Sequence, residues 1–320
     1  MIKLKKKFTD IELVSRSSMS GRFILEKLKV DSYGNPIESS RMLVAEFDNL
    51  ILDQGLNRVG TATWMDACQV GTGSATPAFT DTGLQNRVAG TTSILSNNRS
   101  AQSTPPYYGQ TTNTYRFAAG TATGNLSEVG VGWADIGAAL FSRALILDGS
   151  GNPTTITVLS DEVLDVTYIF RVYPPTNDAT YNVTISGVGT LSVLARASAV
   201  TSSGDWTVLQ SGSIGGAEYA GQAYEGTLGP ITGGPSGVSA SGASIANAAY
   251  VNNSYQRSAT LTADLTAWNL AGGIKSVMQN FGDLSAVWTT MQYEFSSVIN
   301  KNSTNVLTLN FTHSWARRTI

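Results

Sequence analysis

Asp161–Pro175 reads DEVLDVTYIFRVYPP and Asn305–Arg318 reads NVLTLNFTHSWARR. In both, aliphatic, aromatic and Thr residues alternate loosely with polar ones, the period of a β-strand. Pro174-Pro175 ends the first run, because proline has no N–H to give to a ladder. Working outward, Arg22–Val30 and Arg41–Phe47 read as a hairpin around the turn Asp31-Ser-Tyr-Gly-Asn-Pro36. Further strands are predicted at Met65–Val70, Thr114–Ala119, Leu126–Trp133, Ala139–Leu147 and Thr154–Val158, with the tight turn Gly149-Ser-Gly-Asn-Pro153 between the last two. Beyond Pro175 the candidates are Tyr181–Ser186, Thr190–Ala199, Trp206–Gln210, Ser254–Leu265, Ala286–Phe295 and Val306–Trp315.

Helical spacing is confined to Asn49–Gly60, where Leu50, Ile51, Leu56 and Val59 recur and Gly60 offers a stop, and to a short turn within Ala271–Phe281. Many short strands at turn spacings of about 8 to 12 residues indicate an antiparallel sandwich or jelly roll, not βαβ units. The expected fold is all-β and mainly antiparallel, with two β-sandwich or jelly-roll-like domains and one or two short helices. Residues 1–48 form an N-terminal hairpin and attachment region packed on the first domain, 49–175 the first sandwich, and 176–320 a second, loop-rich sandwich. Between Thr176 and Tyr250 the sequence has five charged residues among abundant Gly, Ser and Ala, which marks the shift in composition.

The chain has 320 residues, 42% of them hydrophobic and 14% charged, with a formal net charge of −2. That apolar content supports one or two cores. So low a charge density points to a surface partly covered by assembly. The net charge argues against a polyanion binder, so nucleic acid is not an expected partner. The single Cys68 cannot make an internal disulfide, and no Cys/His spacing suits zinc. The start, MIKLKKKFTDIEL, is basic without a following apolar segment, and no window approaches the roughly eighteen apolar residues of a membrane helix. Neither membrane insertion nor any cofactor is expected.

The search for chemistry returns few candidates. His313, the one histidine, would share a strand face with Leu307, Leu309, Phe311 and Trp315, a packing position and not that of a general base. Asp161, Glu162 and Asp165 form a local carboxylate trio that fits a solvated strand end or a calcium site as well as a glycosidase pair. Gly71-Thr-Gly73 and Gly120-Thr-Ala-Thr-Gly124 lack the Lys-Ser/Thr of a phosphate loop and read as hairpin loops. Cys68 reads as a small buried residue. No fixed-period repeat of a solenoid is present. Two surface features remain: Lys3, Lys5, Lys6 and Lys7, as a possible assembly contact, and Trp206, Tyr219 and Tyr224, as possible sugar-facing rings. The strand Arg22–Val30 is a second assembly candidate, by adding an edge to a neighbour's sheet. Tyr107, Tyr108 and Tyr115 lie by a polar loop and are further ring candidates.

Several short motifs follow one another in a distinctive order. They are Asn49-Leu-Ile-Leu-Asp-Gln-Gly-Leu-Asn-Arg-Val-Gly60, Cys68-Gln-Val-Gly-Thr-Gly73, Asp81-Thr-Gly-Leu84 and Gly124-Asn-Leu-Ser-Glu-Val-Gly-Val-Gly-Trp133. Leu140-Phe-Ser-Arg-Ala-Leu145, Asp148-Gly-Ser-Gly-Asn-Pro-Thr154 and Asp165-Val-Thr-Tyr168 continue the series. Together they resemble structural proteins of tailed bacteriophages, of the tail and tail-fibre group, best over Asn49–Pro175. The resemblance implies a non-enzymatic virion component, assembled in the bacterial cytoplasm, at a tail tip, baseplate or fibre. It implies as partners other virion proteins and copies of the chain itself, a trimer being favoured, with a host surface glycan as a further contact. A capsid decoration or neck-collar appendage is the nearest alternative, and a carbohydrate-binding or carbohydrate-active module the alternative of another class. No catalytic residue set comes with the resemblance.

Overall fold

The computed structural model describes residues 6–185, 188–200, 221–281 and 289–318. Strands dominate; among the described residues one α-helix, Asp53–Val59, and one 3-10 turn, Glu38–Ser40, are the helical elements. The fold is all-β and mainly antiparallel, as expected. The helix occupies the second half of the helical pattern at Asn49–Gly60, after a two-residue strand, Leu50–Ile51.

One strand organises the rest. Lys6–Lys29 runs for 24 residues. Its later part, Ser18–Lys29, pairs antiparallel with Glu162–Tyr173, and Arg22–Lys27 pairs on the opposite edge with Met42–Asp48. Its earlier part, Lys6–Met19, pairs in parallel with Asn305–Arg317. Glu162–Tyr173 and Asn305–Arg317 are therefore neighbours of the same strand. The full eight-stranded sheet runs Ser244–Asn247, Gln256–Ala263, Asn305–Arg317, Lys6–Lys29, Glu162–Tyr173, Tyr108–Phe117 and Ile94–Gln102, with Met42–Asp48 as a side branch.

From Leu13 to Leu25 the odd-numbered residues of the long strand are buried and the even-numbered ones are not, so they present one continuous inner face. Two smaller sheets cover that face. A five-stranded sheet of Leu50–Ile51, Leu140–Leu145, Glu128–Gly132, Ala67–Gly71 and Arg87–Thr91 comes from residues 49–175. It packs through Trp64, Phe141 and Phe170, whose rings meet at 5.4–6.3 Å. A six-stranded sheet comes from residues 176–320: Ala179–Ile185, Gly189–Ser198, Thr289–Ile299, Ile274–Phe281, Gln222–Tyr224 and Ser239–Ala240. It meets the large sheet where Phe281 and Tyr293 contact Phe311, at 6.0 and 5.6 Å. The result is two sandwich-like packings on a common sheet, with the first strand beneath both.

Two expectations need correction. Arg22–Val30 does form the hairpin with Met42–Asp48, closed by Asp31, whose Oδ1 accepts the N–H groups of Tyr33 and Asn35 at 2.8 Å. It is not an edge available to a neighbour, because Glu162–Tyr173 already occupies its other side. Ala271–Phe281 holds no helical turn but the strand Ile274–Phe281, where a register shift between Ile274 and Ser276 breaks the period of two and imitates helical spacing.

On the outer face of the large sheet, Asp165 is wholly buried. Arg116 binds it through Nε and Nη2, both at 2.7 Å, and Arg41 through Nη1 at 3.0 Å. Arg41 also holds Glu26 and Glu38 at 3.1 and 2.8 Å, tying the hairpin tip to the sheet. Glu162 pairs with Lys27 at 3.0 Å and accepts the Leu159 N–H at 2.8 Å. Two members of the carboxylate trio are thus engaged in cross-strand ion pairs. Removing a buried charge from such a cluster leaves its partners unmatched. Asp165→Asn is expected to lower unfolding free energy by about 3 kcal/mol, or somewhat less because both arginines can reach water; urea denaturation measures it.

Candidate functional site

Four of the short sequence motifs converge on one place. Ala67–Gly71, Glu128–Gly132 and Leu140–Leu145 lie side by side and are buried along their whole length. Their backbones and those of the flanking loop approach closely: a Cβ on Gly132 would lie 1.8 Å from the Ala139 carbonyl oxygen. At the start of the central strand of the three, opposite the ends of both neighbours, sits Glu128, with no solvent exposure.

The Glu128 carboxylate is saturated. Its Oε1 accepts the N–H groups of Gly73 at 2.9 Å and Asn86 at 2.7 Å. Its Oε2 accepts the N–H of Gln85 at 3.0 Å and Nε and Nη2 of Arg143 at 3.0 and 2.8 Å. Arg143 also reaches Asp81 at 2.5 Å and donates to the Ala75 carbonyl at 3.1 Å, while Asp81 accepts the Ala78 N–H at 2.9 Å. A buried charge is tolerated when its partners fill its bonding sites, as here. The consequence is mechanical: residues 72–86, which hold no regular element, are fastened to the sheet. The Gly71-Thr-Gly73 loop does cradle an anion, but the anion is a side chain of its own protein.

Beside this joint lies a cavity of about 550 Å³ lined in part by Gln69, Thr80, Thr82, Gln85 and Arg87. Gln69 is buried and donates from Nε2 to the carbonyls of Ala134 and Gly137 at 2.9 and 3.3 Å; its Oε1 has no hydrogen-bond partner among the described residues. Arg87 is anchored by its Nε on the Asp135 carbonyl at 2.9 Å. Such a lining can hydrogen-bond a small polar molecule. Of its charged lining residues, Asp81 and Arg143 are paired with each other and Arg87 is held on a backbone carbonyl.

The other sequence candidates are dispersed. Lys3, Lys5, Trp206 and Tyr219 lie outside the described residues. Lys6 and Lys7 begin the long strand, opposite Asn305 and Val306. Tyr224 lies in Gln222–Tyr224, half-buried, and its hydroxyl donates to Gln222 Oε1 at 2.6 Å; burial raises its pKa. Tyr115 is a core residue whose hydroxyl donates to the Met65 carbonyl at 2.6 Å. Tyr108 lies under the Arg171 guanidinium at 4.3 Å. Cys68 is fully buried, which pushes its thiol pKa far up, away from a reactive thiolate.

His313 is packed as its strand pattern implies. It is wholly buried, its ring stacks on Phe281 at 5.1 Å, and Ser15 and Ser17 contact its Nδ1 and Nε2 at 2.7 and 3.2 Å. These partners are hydroxyls, not an orienting carboxylate.

The residues that sequence reading missed are Glu128 and Arg143. They stand 15 positions apart, and Glu128 is held mostly by backbone donors, which leave no side-chain signature. Comparison with protein-family models, curated protein sequences and solved structures finds no match for the chain.

Burial lowers the His313 pKa to about 3. The unfolded chain takes up a proton near pH 6.5 that the folded chain refuses until about pH 3. This residue's contribution to stability is therefore complete above pH 6.5 and is lost as pH falls toward 3. Its slope is at most about 1.4 kcal/mol per pH unit. In urea titrations at pH 7 and pH 4.5, His313→Gln is expected to lose less stability between the two conditions than the parent chain; equal losses would contradict the assignment.

Proposed function

We propose that this chain is a non-enzymatic structural component of a tailed-bacteriophage particle, present in several copies at a tail tip, baseplate or fibre. A capsid-decoration or neck-collar position is the closest rival. The observation that carries this reading is the place where the phage-like motifs meet. Cys68–Gly73, Asp81–Leu84, Gly124–Trp133 and Leu140–Leu145 supply Gly73, Asp81, Glu128 and Arg143, which together build one buried joint between loop and sheet. Motifs with that role belong to architecture. The low charge content of the chain supports it further, since a sparsely charged surface suits a protein covered by neighbours.

Within this reading the N-terminal lysines contact other virion proteins and the half-buried Tyr224 contributes to a surface that meets host glycan. Copies of the chain associate around a symmetry axis, a trimer being the favoured ring. The chain would be made in the host cytoplasm, where a single buried thiol raises no disulfide requirement.

Counting copies per purified particle by quantitative mass spectrometry tests the proposal. The expected count is about three to eighteen, as closed rings at a tail site give. Hundreds of copies would move the chain to the head, and absence from particles would overturn the reading.

A further inference from the structure

Ile94–Gln102 forms one border of the eight-stranded sheet, and its single ladder neighbour is Tyr108–Phe117. The opposite border is only four residues long, Ser244–Asn247. Which backbone groups of the border strand are free follows from the ladder. Arg116 donates its N–H to the Ser93 carbonyl at 2.9 Å, so the even-numbered residues of Tyr108–Phe117 turn their backbone toward this strand. Their partners Ser96, Asn98 and Ser100, opposite Thr114, Thr112 and Gln110, face inward along the sheet. Asn97, Arg99 and Ala101 therefore point their N–H and C=O groups outward, where no strand lies among the described residues.

Sheet borders are usually blunted by proline, charge, brevity or a bulge, and here the bulge is confined to the start, between Ile94 and Ser96. This one spans nine residues with no proline, no lysine and a single charge, Arg99. Asn98, Arg99 and Ser100 are exposed, and Leu95 is 50% exposed.

The pattern of the strand is its own complement. In an antiparallel pair only outward-facing residues can exchange hydrogen bonds, which limits the registers. Centring on Arg99 would set two guanidiniums opposite each other, which costs stability. Centring on Asn97 would set Arg99 against Leu95, at the register shift between Ile94 and Ser96, and centring on Ser96 or Ser100 would set Arg99 against Ser93 or Asn97 against Ser103, beyond the strand. Centring on Asn98 pairs Asn97 with Arg99 twice, brings Leu95 beside Ala101, and leaves Asn98 facing its own copy across a close, non-hydrogen-bonded pair. We propose that Ile94–Gln102 pairs with the same strand of a second copy of this chain, antiparallel and centred on Asn98, continuing the large sheet across a twofold axis. A contact of this kind closes a dimer; between trimeric rings it would join one ring to the next. It does not rest on the virion reading and is tested on the purified chain alone.

The contact is small beside the roughly 1,200–2,000 Å² of a stable interface, so covalent trapping at high protein concentration is the suitable readout. Cys68 is buried and does not compete. Facing residues of a non-hydrogen-bonded pair have Cα atoms about 4.5 Å apart, within disulfide reach. Asn98→Cys is expected to give a disulfide-linked dimer on mild oxidation. In the same register two copies of Ser100→Cys lie four residues, about 13 Å, out of line, and are expected to give at least tenfold less. Both positions are exposed, so neither substitution disturbs the core. Adding Arg99→Pro to Asn98→Cys removes an outward N–H without touching the bonds to Tyr108–Phe117, and is expected to reduce the dimer several-fold. Failure of Asn98→Cys to cross-link, or equal cross-linking of both cysteine variants, would overturn the proposal.

Discussion

The backbone hydrogen bonds of Lys6–Lys29 are the constraint on which the other elements depend. This strand is paired with one set of neighbours over its first half and another set over its second. Its N–H and C=O groups alternate between the two edges, so pairing to one side leaves the other free for a different partner. The parallel bond to Asn305–Arg317 brings segments almost three hundred residues apart in sequence side by side. Gly21 lies close to the crossover. A Cβ there would fall 2.1 Å from the Tyr168 hydroxyl oxygen and 2.8 Å from Asn49 Nδ2, where Asn49 donates to Tyr168 at 2.8 Å. The strand thus needs a residue without a side chain at the point where it leaves one packing for the other.

Polar groups lock what the apolar faces align. The inner face is aromatic and aliphatic, whereas the two carboxylates without any exposure, Asp165 and Glu128, lie where a loop or hairpin must be held against a sheet. Asp165 gathers Arg41 and Arg116; Glu128 gathers Arg143 and three backbone N–H groups. In a chain so poor in charge, these ions are placed at joints and not spread over the surface. The cavity beside Gln69 lies between that fastened loop and Gly137-Ala138.

Legibility in the sequence followed regularity of period. Asn305–Arg317 alternates buried and partly exposed residues almost without a break, and its strand and the packing role of His313 could both be read. The early half of the long strand, with its Ser15-Arg-Ser-Ser-Met-Ser20 run, carries the same alternation in small polar residues, so hydropathy hides it. Ile274–Phe281 was masked by its register shift, and Ile94–Gln102 by the polarity that a border strand permits. The joint around Glu128 was least visible, because backbone donors from Gly73, Gln85 and Asn86 supply most of its bonds and a sequence does not display them.

Native-state hydrogen exchange along Lys6–Lys29 tests the central claim, that one strand is common to both packings. The amides of Leu13 and Phe23 lie in its two halves. If the strand couples the sandwiches, both amides exchange through the same opening, with equal free energies and equal denaturant dependence. Exchange at Leu13 through a lower-energy opening that leaves Phe23 protected would contradict the account.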